Sequence, residues 1–178
     1  MKLFKTFFAV AAAGAVTLSA ADLSRIATAK RWAPEECTVT QNGNAITVNM
    51  PVDHKAGEAK YPIGWPRLYL LKLDPAEKDW SKAKALSFKI KLEFTGKSVK
   101  QPITFQIKTQ TPKDVKWKTT AISIPGLVNN KEVTAVLDIS KIKDLDSVVC
   151  LGINIAEENY KHGENVKFTV SDFKLINK

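Results

Sequence analysis

The segment from Lys84 to Phe94 alternates between apolar and polar side chains, and this period of two constrains the fold more than any other feature of the sequence. A strand places successive side chains on opposite faces of a sheet, so the pattern predicts a strand with one buried and one solvated face. The predicted buried residues are Leu86, Phe88, Ile90, Leu92 and Phe94.

Similar short segments recur along the chain, separated by turn residues such as Asn42-Gly43 and Asp74-Pro75. Many short strands with regular breakers and no long helical period predict an all-β fold, a two-sheet antiparallel β-sandwich. Helix is predicted only over Leu23 to Lys30 and Pro75 to Lys82. The other predicted strands are Cys37 to Thr40, Ala45 to Met50, Arg67 to Leu73, Pro102 to Thr109, Thr119 to Ile124, Glu132 to Ile139, Val148 to Ile155 and Asn165 to Ile176.

The last predicted strand changes phase. Its apolar residues Val166 to Val170 share one face, but the next large apolar pair, Phe173 and Leu175, is shifted by one position. A β-bulge at Ser171-Asp172 would return these side chains to the buried face. Bulges often direct a side chain toward a functional site, and that side chain is here Asp172.

The first 21 residues have the pattern of a secretory signal peptide. Lys2 and Lys5 precede the uncharged stretch Phe7 to Leu18, and small residues follow at Ser19-Ala20-Ala21. A retained membrane anchor is the alternative, but the apolar stretch is shorter than the roughly 20 residues that a span requires. We therefore predict cleavage after Ala21, a leader over residues 22–34, and one β-sandwich domain over residues 35–178. The domain is expected to be secreted or periplasmic, with no membrane span after cleavage.

The formal net charge of +9 comes almost wholly from lysines spread along the chain. Such a distribution is typical of a solvated surface, whereas a nucleic-acid groove more often clusters Arg among aromatic residues. Export also argues against a nucleic-acid partner. Long-range attraction to an acidic polysaccharide or an anionic envelope stays open.

Two cysteines, Cys37 and Cys150, lie in the part predicted to be exported. An oxidising compartment permits a disulfide between them. The alternative is a pair of buried thiols, since pairing depends on a Cβ geometry that sequence does not contain.

Three segments together resemble galactose-binding-like β-sandwich modules, the jelly-roll carbohydrate-binding modules of many secreted proteins. They are Asp79-Trp80-Ser81 with the strand that follows it, Lys116-Trp117-Lys118-Thr119-Thr120 with Val136-Leu137-Asp138-Ile139-Ser140, and Phe168 to Leu175. The resemblance covers most of residues 35–176. It implies a jelly-roll topology and a carbohydrate ligand.

The same resemblance implies a structural calcium ion, and no other cofactor is predicted. In this sequence Ser171 replaces the first of two acids in the closing strand, which leaves Asp172 and Glu36 as candidate ligands. Calcium prefers six to eight oxygen ligands. The alternative is that Asp172 only caps backbone amides at the bulge.

Sugars stack their C–H faces on aromatic rings and hydrogen-bond to planar polar side chains. A sugar-binding site is therefore expected where aromatic and planar polar side chains occur together near predicted loops. The segment Tyr61 to Arg67 is the first candidate because it offers Tyr61, Trp65 and Arg67. The alternative is an edge loop folded over the core. Trp117 and the turn residues Tyr160 and His162 are further candidates, although a plain polar hairpin would also account for that turn.

Catalytic motifs are absent from the sequence. His54 and His162 are isolated, and the neighbours Glu157 and Glu158 would point to opposite faces of a strand. The sequence therefore predicts a non-catalytic, exported protein that binds polysaccharide. The alternative is a structural or adhesive envelope protein that binds other proteins through its sandwich.

Overall fold

The computed structural model describes residues 21–53, 66–96 and 103–178. In these residues the chain forms ten strands and four short 3₁₀ helices. The strands are β1 (Ala33–Glu35), β2 (Thr38–Asn42), β3 (Ala45–Pro51), β4 (Arg67–Leu70), β5 (Ala83–Thr95), β6 (Ile103–Thr109), β7 (Lys118–Ser123), β8 (Glu132–Asp138), β9 (Val148–Ile155) and β10 (Asn165–Asn177). The 3₁₀ helices are Ala29–Arg31, Pro75–Glu77, Leu145–Ser147 and Glu157–Asn159.

The strands form two five-stranded antiparallel sheets. The front sheet has the order β1-β4-β9-β6-β7, and the back sheet has the order β2-β3-β10-β5-β8. The predicted all-β, two-sheet antiparallel sandwich is confirmed. The front sheet brings together strands that are far apart in the chain, since β9 separates β4 from β6.

The core lies between the sheets and contains the predicted buried face of β5. Phe88 of the back sheet meets Phe105 of the front sheet with ring centroids 5.4 Å apart, and Phe173 stacks on Phe88 at 5.1 Å. Phe173 reaches this position because β10 carries the predicted bulge. The register of β10 against β5 shifts between Ser171 and Lys174, and Asp172 has a φ of 55°.

The segment predicted as a leader packs into the same core. Leu23, Ile26 and Trp32 are buried in it, and the Trp32 indole donates a hydrogen bond to the Ile26 carbonyl at 2.7 Å. The predicted helix over Leu23 to Lys30 is reduced to the 3₁₀ turn Ala29–Arg31, and β1 begins at Ala33, two residues before the predicted domain boundary. Within the described residues, the folded unit therefore starts earlier than residue 35.

A buried ion pair joins this N-terminal segment to the rest of the domain. The Arg31 guanidinium donates to both carboxylate oxygens of Glu77, at 2.6 and 2.7 Å, and Glu77 is only 2% exposed. The Asp74 amide also donates to Glu77, at 2.7 Å. Burial alone raises the pKa of Glu77, but these hydrogen bonds outweigh it and leave the pKa below its usual value.

No helix in the described part of the chain is long and apolar enough to cross a membrane.

Candidate functional site

The outward face of the back sheet consists mainly of lysine, threonine and carboxylate side chains. Lys167 lies 3.4 Å from Glu93, Lys89 lies 2.8 Å from Asp172, and the Thr47 and Thr169 hydroxyls are 3.0 Å apart. Among the described residues, no outward position of its five strands carries an aromatic ring. This face has the character of an ordinary solvated surface.

The outward face of the front sheet, called the front face below, is different in kind. Strand register places Arg67 of β4 beside Asn154 of β9, and Asn154 beside Thr104 of β6. The next row across the sheet is Tyr69, Gly152 and Gln106, and the row after it contains Cys150 and Lys108. An aromatic ring, two amides and two cations thus share one surface.

Tyr69 lies directly over Gly152. A Cβ atom at position 152 would come within 2.8 Å of Tyr69 Cε1 and 3.2 Å of Gln106 Cβ, which is closer than such atoms approach. The missing side chain therefore lets the Tyr69 ring lie down across β9. Gly152 therefore lies directly beneath the Tyr69 ring.

Lys108 lies between two aromatic rings. Its ammonium group is 4.1 Å from the centroid of Tyr69 and 5.0 Å from the ring of Trp117. Each contact is a cation–π interaction, in which the negative face of a ring attracts the cation. The two rings and the lysine form a continuous strip across the sheet.

Trp117 is 44% exposed and immediately precedes β7. Its position follows from Lys118, which pairs with Asp114 at 3.0 Å and with Asp144 at 2.8 Å. Hydrogen bonds from Lys118 and from the Thr111 amide and hydroxyl lower the pKa of Asp114, so its carboxylate stays charged. The turn before β7 is thereby fixed, and Trp117 extends from it beside Lys108.

The polar end of the front face is made of paired groups. Gln106 donates to the Asn154 amide oxygen at 2.9 Å, and Arg67 donates to Glu35 at 2.6 Å. The Arg67 guanidinium also lies 5.1 Å from the Tyr69 ring centroid. This end offers the Gln106 amide and the Arg67 guanidinium next to the aromatic strip, whereas Asn154 is buried.

Two of the predicted ligand-binding residues, Arg67 and Trp117, lie on this surface. Tyr61 and Trp65, the aromatic residues of the loop predicted first, lie outside the described residues. Tyr69, Gln106, Lys108 and Asn154 were not selected from the sequence. Their signal is the outward half of the alternating pattern, which was used only to identify the strands.

The predicted turn residues lie elsewhere. Tyr160 is 4% exposed and packs against Phe94 with ring centroids 5.8 Å apart, and burial raises its pKa. Its ring is part of the core, so the structure does not bring this predicted ligand-binding residue to the front face. His162 is half exposed, 3.6 Å from Asp53 in the segment that follows β3. The structure does not bring it to the front face.

The two predicted calcium ligands are far apart. Glu36 precedes β2, whose residue Thr38 lies across from Asn49, while Asp172 is at the opposite end of the sheet, beyond the pair Ile46 and Val170. Asp172 pairs instead with Lys89. Among the described residues, no group of three or more His, Cys, Asp or Glu side chains forms a metal cluster. The geometry thus does not bring the predicted pair into one coordination sphere.

Both cysteines are free, so the predicted disulfide is absent from this structure. Cys37 donates to the Arg67 carbonyl, and Arg67 is in register with Asn154, four residues beyond Cys150 along β9. Four residues of a strand span about 13 Å, whereas a disulfide requires Cα atoms within about 7 Å. Burial raises the pKa of each thiol to about 11.

Solved structures are similar to this chain at low sequence identity. The family 11 carbohydrate-binding module of the cellulosomal cellulase Lic26A-Cel5E of Clostridium thermocellum is 19% identical over 83% of this chain and 88% of that chain, with a TM-score of 0.47. A family 11 module from Clostridium thermocellum in complex with a beta-1,3-1,4-mixed-linked tetrasaccharide is 18% identical over 83% of this chain and 89% of that chain, with a TM-score of 0.48. The agarase AgWH50C is 9% identical over 84% of this chain, with a TM-score of 0.54.

The match to the agarase covers only 24% of the agarase chain. At 9% identity this likeness carries the fold alone, and it agrees with the β-sandwich that the family resemblance implied. No family model matches the sequence. No curated protein matches it either.

Proposed function

We propose that the protein is an exported, non-catalytic module that binds polysaccharide on the front face. The observation that carries this proposal is the aromatic strip of Tyr69 and Trp117, which the opposite face of the sandwich lacks among its described residues. Export follows from the predicted signal peptide in residues 1–21.

The chemistry of the front face matches the chemistry of a sugar chain. A pyranose presents an apolar C–H face, which packs against an aromatic ring, and a rim of hydroxyl groups, which hydrogen-bond to amides. Tyr69 and Trp117 supply the rings, and Gln106 supplies an amide that donates to Asn154, which is itself only 6% exposed. Because the rings lie on different strands, a ligand that contacts both must be extended across the sheet, as an oligosaccharide is.

The carboxylates of the front face do not favour hydrolysis. Glycoside hydrolysis uses two carboxyl groups roughly 5–10 Å apart on either side of the scissile bond. Glu35 is the one carboxylate at the outward strand positions described above, and Arg67 engages it at 2.6 Å. This supports binding without catalysis.

Replacing Tyr69 or Trp117 by alanine is expected to weaken oligosaccharide binding by at least about tenfold each, or about 1.4 kcal/mol, because each change removes a stacking surface. Isothermal titration calorimetry against a panel of plant and algal oligosaccharides measures this. Val136→Ala is a matched control, since Val136 is 47% exposed on the back sheet and should leave affinity unchanged. Wild-type affinity in both the Tyr69 and Trp117 variants would remove the front face as the binding site.

Gly152→Ala is expected to reduce the same affinity without touching an aromatic residue. The added methyl group would lie 2.8 Å from Tyr69 Cε1 and must displace the ring from its position across β9. We expect an affinity loss of about tenfold, measured on a variant whose circular dichroism spectrum matches that of the wild type. Thr134→Ala, at an exposed outward position of β8 on the back sheet, is the control. Unchanged binding in Gly152→Ala would show that the position of Tyr69 is irrelevant.

A further inference from the structure

We infer that the ligand of the front face carries a negative charge, and that the Lys108 ammonium binds this acidic group of the sugar chain between Tyr69 and Trp117. This inference rests on the proposed function and specifies its substrate class as an acidic glycan. The group is an anion on the sugar, either a uronate carboxylate or a sulfate ester.

Lys108 carries a positive charge that no carboxylate of the described residues balances. Two neighbouring cations have carboxylate partners, Arg67 in Glu35 at 2.6 Å and Lys118 in Asp114 and Asp144 at 3.0 and 2.8 Å. Lys108 makes no ion pair with any residue in the described ranges. Its partners are two aromatic rings, which attract a cation but carry no net charge of their own.

The position of Lys108 also favours contact with a bound sugar. Lys108 lies on β6, which pairs with β9 on one side and β7 on the other, so its backbone is held in the middle of the sheet. Its ammonium lies 4.1 Å from the ring centroid of Tyr69 and 5.0 Å from the ring of Trp117. A sugar packed against Trp117, or against the exposed part of the half-buried Tyr69, therefore brings its substituents within reach of the ammonium.

The electrostatic field of the whole protein favours an anionic ligand as well. The formal net charge of +9 becomes +7 when the predicted signal peptide, with Lys2 and Lys5, is removed, and a cationic surface raises the local concentration of an anionic chain. This long-range attraction does not select a site. Lys108 supplies the selection, because its charge is positioned on the stacking surface and, among the described residues, no acidic side chain pairs with it to compete with the ligand.

The test uses pairs of ligands in which one member carries an acidic group and the other carries its neutral counterpart, with protein purified after expression of the full-length sequence. One pair is oligogalacturonate and the same oligomer methyl-esterified, and the other is a carrageenan oligosaccharide and the same oligomer after desulfation. We expect at least one acidic member to bind about tenfold or more tightly than its neutral partner, with a preference that falls as salt is raised. The pair that shows the preference distinguishes carboxylate from sulfate.

Lys108→Gln is expected to abolish the preference, lowering the affinity for the acidic member at least about tenfold more than that for the neutral member. Lys108→Arg keeps the charge and should keep the preference. Lys91→Gln removes an exposed lysine from the back sheet and is the matched control.

Equal binding of acidic and neutral members, a preference that survives Lys108→Gln, or an equal loss in Lys91→Gln would overturn the inference. In those cases binding that still depends on Tyr69 and Trp117 leaves the proposed function standing. Failure of every acidic and neutral oligosaccharide to bind would overturn both.

Discussion

A chain that begins at Ala33 is expected to remain unfolded under conditions in which a chain that begins at Asp22 folds cooperatively. The missing segment contains Leu23, Ile26 and Trp32, which are 3%, 0% and 4% exposed. Burial of each such side chain contributes about 1.5–3 kcal/mol. Because a domain is typically stable by only about 5–15 kcal/mol, losing all three removes most of that margin.

The same truncation also removes polar contacts. Gln41 of β2 accepts a hydrogen bond from the Ala29 amide at 2.8 Å and donates to the Ala27 carbonyl at 3.0 Å. Circular dichroism during urea unfolding of the two chains measures the effect, with Ile26→Ala in the longer chain as an intermediate that should lose about 2–5 kcal/mol. Equal unfolding midpoints for the two chains would show that residues 22–32 do not belong to the folded unit.

Arg31→Met is expected to destabilise the protein by about 3–5 kcal/mol at neutral pH, because it leaves the buried Glu77 carboxylate without its cation. Arg31 makes two hydrogen bonds to a carboxylate that is only 2% exposed, and methionine fills the space without replacing them. Urea unfolding of the variant measures the loss. Arg25→Met is the matched control, since Arg25 pairs with Asp74 at a side-chain exposure of 66% and should cost about 1 kcal/mol or less.

The loss in Arg31→Met is also expected to depend on pH. In the wild-type protein the folded pKa of Glu77 lies below its usual value, so the stability that the pair contributes is present above the unfolded pKa and disappears as the pH falls through the folded pKa. Without Arg31, burial raises the folded pKa instead, and protonation of Glu77 relieves the variant. The difference between wild type and variant should therefore narrow from neutral to acidic pH.

A second substitution separates the buried charge from other effects of the variant. Adding Glu77→Gln to Arg31→Met removes the charge that arginine neutralised, and we expect it to restore part of the lost stability. A loss that stays constant with pH and is not relieved by Glu77→Gln would contradict this account of the pair.

Local patterns predicted the strands because each strand carries its own evidence. The alternation in β5 and the phase change at Ser171-Asp172 both depend on neighbouring residues, and the structure contains the strand and the bulge. Burial of Leu23 and Ile26 depends instead on where a short irregular segment packs. Neighbouring residues alone favour only a short helix over Leu23 to Lys30 and do not show where it packs. Residues 22–34 are therefore predicted to be a leader.

The candidate site could be predicted only in part. Arg67 and Trp117 were selected because arginine and tryptophan are common in binding sites, but their proximity depends on β4, β9, β6 and β7 being neighbours. Tyr160 was selected by the same criterion, yet it packs against Phe94 in the core. Residue type therefore identified candidates, and strand order decided which of them share a surface.

The sequence by itself determined that this chain forms short strands with one buried face, because the period of two is a property of each strand alone. It also determined the bulge that returns Phe173 to the core. Only the tertiary structure decided that Tyr69 lies over Gly152 and that Lys108 lies between two rings. Those contacts join residues from separate strands, and the free energy that aligns the strands comes from packing the two sheets together rather than from any local segment.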